Sequence, residues 1–158
     1  MNFAIYWNKK QWGVCVKDLE EYFKPITIKD VRALFEGKDC SGKKRRIVDL
    51  VYEMASTPSL IGLDFADIEL IVRHNSKFEF LEGRLKKFLE NPSEISKADS
   101  VILVMRVDKE TTLGEITSVV EKLFSEKQDV VWTAIVSKTE KRKGKFNPKI
   151  EMVLGFKP

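Results

Sequence analysis

Ile47, Leu50, Val51 and Met54 fall at i, i+3, i+4 and i+7, which predicts a helix from Arg46 with one buried face, ended by Pro58. After a short loop, Phe65, Ile68, Ile71 and Val72 predict a second helix of the same kind. Lys77 to Leu81 reads as a short strand, and Leu85, Phe88 and Leu89 as the inner face of a helix stopped by Asn91-Pro92. The period then changes. Val101-Ile-Leu-Val-Met-Arg-Val107 is a continuous apolar run, the pattern of a central strand covered on both faces. Thr112 with Glu115 three residues on forms a capping box, and Leu113, Ile116, Val119, Val120 and Leu123 are the expected inner face of the helix it opens. Val130–Ser137 and Ile150–Phe156 read as strands joined by a long Lys-rich connection that contains Gly144 and Asn147-Pro148.

Upstream the elements are shorter. Residues 2–7 and 12–17 alternate as two strands of a hairpin, connected through Asn8–Gln11. Asp18 can cap a short helix carrying Leu19, Tyr22 and Phe23, which must stop near Pro25. Thr27 and Asp30 then resemble a capping box ahead of Val31, Leu34 and Phe35, with Gly37 closing that helix. The chain divides on this reading into a hairpin-and-helix extension, residues 1–45, and a domain, residues 46–158. Tyr6, Trp7, Trp12 and Tyr22 are expected to pack the hairpin onto the domain.

Composition narrows the function classes. At 158 residues and 43% hydrophobic, the chain can bury one core with a small appended unit. No apolar run approaches the roughly 20 residues that span a bilayer, and Lys9 and Lys10 interrupt the only apolar stretch near the start. The expectation is a cytoplasmic protein without a membrane role. Cys15 and Cys40 are too few and too separated for a disulfide framework or a zinc site. No Ser/His/Asp or Cys/His set stands out, so no metal, no cofactor and no catalytic set of its own are expected. His74, the single histidine, falls near the predicted C-terminus of the second helix and has no nucleophile or metal partner in view.

The net charge of +4 is modest, but its distribution is uneven. Lys43, Lys44, Arg45 and Arg46 form one basic knot, and Lys141, Arg142, Lys143 and Lys145 form another within the connection before the last strand. Either suits an acidic partner. Gly37-Lys-Asp-Cys-Ser-Gly-Lys-Lys44 nearly spells a phosphate-binding P-loop, but Lys44 replaces the hydroxyl residue and a helix precedes it where a strand is required.

Ser59-Leu-Ile-Gly-Leu-Asp-Phe-Ala-Asp67 runs into the second predicted helix. From spacing alone, Asp64 is an N-cap and Asp67 the acid that the helix dipole favours in the first turn. The stretch also resembles G-x-x-N-x-D-x-x-D of the FtsZ/tubulin superfamily, a loop that enters a neighbouring subunit's nucleotide pocket and assists GTP hydrolysis. Around it stand, in order, the helix at 46–56, Val101–Val107, Thr112-Leu-Gly-Glu-Ile116, Val130–Ser137 and Ile150-Glu-Met-Val-Leu-Gly-Phe156, which together are similar to the FtsZ C-terminal half. The resemblance implies an α+β fold: a four-stranded mixed sheet packed with helices, here with an N-terminal β-hairpin plus short helices. Ser59 stands at the family's Gly and Gly62 at its Asn, while Asp64 and Asp67 match. No Gly-Gly-Gly-Thr-Gly-type loop is seen.

The resemblance implies a non-GTPase binding module, cytoskeletal and tied to cell division, that docks on FtsZ or another tubulin-like protein and modulates or caps its assembly. Ser59, Leu60, Ile61, Gly62, Asp64 and Asp67 would be the partner-facing loop, with Asp64 and Asp67 lent to the partner's GTP hydrolysis. The alternative is a self-associating scaffold, a homo-oligomer built on the same fold. Nucleic-acid binding through the basic loops ranks last, because aromatic residues are sparse there.

Overall fold

The computed structural model describes residues 6–8, 11–13, 25–57 and 64–158. The short helix expected at 19–23, Cys15 and loop residues 58–63 lie outside the described residues. Strands β1 (Tyr6–Asn8) and β2 (Gln11–Gly13) pair antiparallel, with Asn8 and Gln11 opposite each other inside the strands rather than in the connection. Residues 2–5 and 14–17 of the expected strands lie outside the described residues.

Helix α1 (Ile28–Leu34) begins at a capping box: Thr27 Oγ1 accepts from the Asp30 N–H at 3.2 Å, and Asp30 Oδ2 accepts from the Thr27 N–H at 2.9 Å. Gly37, at φ +72°, turns the chain after it. Helix α2 (Lys44–Ser56) buries Ile47, Leu50, Val51 and Met54, with Val48 beside them. Helix α3 (Phe65–His74) buries Ile68, Ile71 and Val72.

The main sheet contains β3 (Lys77–Arg84), β4 (Ser100–Val107), β5 (Asp129–Val136) and β6 (Lys149–Phe156) in the order β3-β6-β4-β5. β4 and β5 are parallel, and the other two pairs are antiparallel. The fold is therefore α+β with a mixed four-stranded sheet, as the sequence implied. Helices α4 (Leu85–Glu90), α5 (Ser93–Ser96) and α6 (Leu113–Leu123) complete the elements among the described residues. On one face of the sheet Ile102, Val104, Phe78 and Val153 meet α1, α2 and α3. On the other, Val101, Leu103, Met105, Ile150, Met152 and Leu154 meet α4 and α6. Double coverage explains why β4 is apolar from Val101 to Met105.

Residues 26–40 pack into the first of these cores. Val31 and Phe35 are fully buried, and Phe35 meets Phe78 edge to face at 5.2 Å between ring centroids. Asp39 extends alongside the start of β3: its N–H donates to the Ser76 carbonyl at 3.1 Å, and its carbonyl accepts from the Phe78 N–H at 2.7 Å. Lys38 Nζ donates to the Asn75 carbonyl at 2.8 Å.

Four local readings change. β3 runs on to Arg84 rather than stopping at Leu81, because it pairs with β6 from Lys77–Phe156 to Arg84–Lys149. Leu89 is 43% exposed, since α4 is so short that Leu85 and Phe88 alone fill its inner face. Leu113, the first residue of α6, is 59% exposed, above the turn that packs. The α5 turn carries no periodic signal, yet it fully buries Ile95.

Phe35→Ala should lower the free energy of unfolding by about 3–5 kcal/mol, the usual range for a buried aromatic truncated in a core. Urea denaturation measures it. A loss below about 1 kcal/mol would mean that the residue 26–40 segment contributes little to the core.

Candidate functional site

The start of α3 places two sequence-predicted acids together. Asp64 is the N-cap, with extended φ/ψ of −89° and 113°, and its Oδ1 accepts from the Ala66 N–H at 2.9 Å. Asp67 follows in the first turn, and its N–H donates to the Asp64 carbonyl at 3.1 Å. Both side chains are exposed and enter no ion pair among the described residues. The cap uses one Asp64 oxygen, so the second and the whole Asp67 carboxylate face solvent. Leu70, three residues on, is 47% exposed on the same side of the helix. Free carboxylates of this kind can orient or polarise a water. Ser59, Leu60, Ile61 and Gly62 lie outside the described residues. His74 is exposed in the last turn of α3.

The first basic knot opens α2. Lys43 is its N-cap residue without a side-chain cap, and Lys44 and Arg45 are exposed. Arg46 is committed: it bonds Glu82 Oε2 at 2.7 Å and lies 5.0 Å over the Phe80 ring. In the P-loop-like stretch, Asp39 Oδ1 accepts from the Ser41 N–H at 2.9 Å, while Ser41 and Gly42 adopt positive φ. A carboxylate of the chain's own thus takes an N–H that a phosphate would need.

The second basic knot is held in a defined shape. Because β6 lies between β3 and β4, the chain leaving β5 must cross the end of β4 to reach it. Arg142 turns inward and bonds Glu115 Oε1 at 2.7 Å, Glu115 Oε2 at 3.0 Å and Asp108 Oδ2 at 3.2 Å. Its guanidinium also covers Phe146 at 5.1 Å. Glu140 bonds Arg84 at 2.7 Å, and Asn147 Oδ1 accepts from the Lys86 N–H at 2.9 Å. The crossing leaves a half-open cleft of about 380 Å³ lined by Arg84, Arg106 and the connection, including Lys141, Lys143 and Lys145.

Sequence reading missed the charged group behind this cleft. Arg106 forks onto both Glu53 carboxylate oxygens at 2.7 Å and reaches Glu151 Oε2 at 2.8 Å. Glu53, and then Glu151, raise the Arg106 pKa above its usual value. Burial pushes the Glu151 carboxyl up, but Arg106 and Lys149 more than offset this and leave it below the usual carboxylate range. An arginine inside an otherwise apolar strand was the available signal. Among the described residues no group of three or more His, Cys, Asp or Glu is placed to hold a metal, and no helix is long and apolar enough to cross a membrane.

Comparison with known proteins locates the fold. No protein-family model matches the chain, and no curated protein matches it. Among solved structures, a tryptophan-to-tyrosine mutant of FtsZ from M. jannaschii superposes with a TM-score of 0.54 at 13% identity, covering 74% of this chain and 40% of that one. An empty FtsZ dimer from M. jannaschii gives 0.55 at 14% identity, covering 82% and 43%. The fold is FtsZ-like. The chain spans about two fifths of the length of these FtsZ chains, consistent with a C-terminal-domain-like portion. Within that FtsZ-like fold, α3 carries the exposed acids and the β5–β6 connection carries the basic cleft.

Arg142, followed by the Thr112 N–H, holds the Glu115 carboxyl at a pKa of about 2, well below its ordinary 4.5. In the window between these values the unfolded chain binds more protons, so this contribution to stability is complete above the ordinary carboxylate range and is lost as pH falls toward 2. Arg142→Gln should flatten the decline in melting temperature across that window relative to the parent. Parallel melting curves for the two proteins would refute the linkage.

Proposed function

We propose that this chain is a docking module that uses the N-terminal end of α3 to meet a subunit of FtsZ or a related tubulin-like filament, and that it modulates or caps assembly. The observation that carries the reading is the pair of exposed acids, Asp64 and Asp67, beside exposed Leu70 on an FtsZ-like fold. Leu70 offers apolar area for a contact, and the acids supply groups that could orient water at a partner's nucleotide. Capping and acid donation are compatible, because the N-cap bond leaves an Asp64 oxygen free.

On this reading the chain acts through its partner's GTP chemistry rather than as an enzyme by itself. Lys43, Lys44 and Arg45 would speed encounter with an acidic filament surface. A self-associating scaffold is the second reading, and it draws on the description of one similar structure as an FtsZ dimer.

The test is co-sedimentation with FtsZ and GTP, with filament length read by electron microscopy. The parent chain should shorten filaments or reduce pelleted mass. Asp67→Asn combined with Leu70→Ser should remove the effect while sparing the Asp64 cap, whose loss by itself would cost about 1 kcal/mol of stability. If neither protein alters filament mass, length or GTP turnover, docking on FtsZ is wrong. A stable homodimer by light scattering in that event supports the scaffold.

A further inference from the structure

We propose that the cleft under the β5–β6 connection is a binding site for a compact oligophosphate anion, gripped by Lys141, Lys143, Lys145 and Arg84. The site is separate from the acidic end of α3 and does not depend on docking to a filament.

Three observations lead to it. The connection is a built element, fixed by Arg142 on Glu115 and Asp108, by Glu140 on Arg84, and by Asn147 on the Lys86 N–H. Those contacts consume the nearby carboxylates. Asp108 and Glu140, the two acids that line the cleft, are each already paired with an arginine. By contrast Lys141, Lys143 and Lys145 are exposed, and none of them enters an ion pair or hydrogen bond among the described residues. Arg84 spends one guanidinium nitrogen on Glu140 and keeps the others. The cleft therefore carries excess positive charge over a short stretch of chain.

The ligand class follows from charge density and size. Consecutive acidic residues of a peptide offer one charge every ~3.3–3.6 Å of extended chain. A phosphate chain concentrates more charge and more acceptor oxygens over the same span, and ammonium groups on flexible stems bind phosphate as point charges. The volume of about 380 Å³ lies near the lower end of the about 300–1,000 Å³ typical of small-molecule sites.

Isothermal titration of the full chain with sodium tripolyphosphate tests the site. Saturable binding is expected, weakening as salt is raised from about 50 to 200 mM, because exposed charges are screened over the shorter Debye length. Lys141→Ala/Lys143→Ala/Lys145→Ala should lose at least about tenfold in affinity, equivalent to about 1.4 kcal/mol. The matched Lys43→Ala/Lys44→Ala/Arg45→Ala variant should bind like the parent. Both sets are surface positions, and circular dichroism checks that each variant stays folded. ATP binding as tightly as tripolyphosphate, with adenosine not binding, would support phosphate recognition. Absence of saturable binding, or equal losses in the two variants, would overturn the proposal. So would a hexaglutamate peptide or a short DNA duplex that outcompetes tripolyphosphate at matched charge.

Discussion

β4 must be buried on both faces, and the remaining architecture answers that requirement. Val101 to Met105 are fully buried and Val107 nearly so, which leaves neither face of the strand free for water. α1, α2 and α3 close one side, and α4 and α6 the other. At about 25 cal/mol per Å² of apolar surface, coverage on both sides is the dominant favourable contribution in this part of the fold. The one charged residue of the strand, Arg106, fits because Glu53 on α2 and Glu151 on β6 both bond it. Left unpaired, a guanidinium at that depth would be strongly destabilising. The same ion group ties α2 to the sheet.

The strand order has a second consequence. With β6 inserted between β3 and β4, the connection from β5 has to pass over the end of β4. That path carries the most basic segment of the chain across an end where Asp108, Glu115 and Arg84 are waiting. Arg142 is spent on structure, and the lysines on either side of it remain outward. The division of labour between one anchoring arginine and its lysine neighbours reflects their chemistry: a planar fork suits two carboxylates at once, whereas an ammonium stays solvated more readily.

At α3, structure and surface chemistry share the same residues. Asp64 satisfies an N–H that the helix cannot satisfy internally, and it still presents an oxygen outward. Asp67 gains from the helix dipole without being consumed by any partner among the described residues. Similarity to FtsZ at 13–14% identity speaks to the fold alone.

Much was legible without coordinates. Helix faces at 47–54 and 68–72, the capping boxes at Thr27 and Thr112, the doubly covered run at 101–107 and the last two strands all follow from periodicities that a repeating backbone imposes on nearby residues. The acids at 64 and 67 were legible for the same reason, since a cap is a contact within one turn. What the pattern could not supply was the choice among distant partners. Nothing local says that Arg106 meets Glu53, that Arg142 meets Glu115, or that Phe35 lies against Phe78. The overreach at Leu89 and Leu113 is of the same kind: the period was right, but burial ended where the neighbouring element ended. By itself, then, the sequence determined the elements, their buried faces and their caps, because these depend on residues a few positions apart. Only the tertiary structure decided the order β3-β6-β4-β5, and with it which charges are paired and which are free, because those contacts join residues far apart in the chain that no periodicity relates.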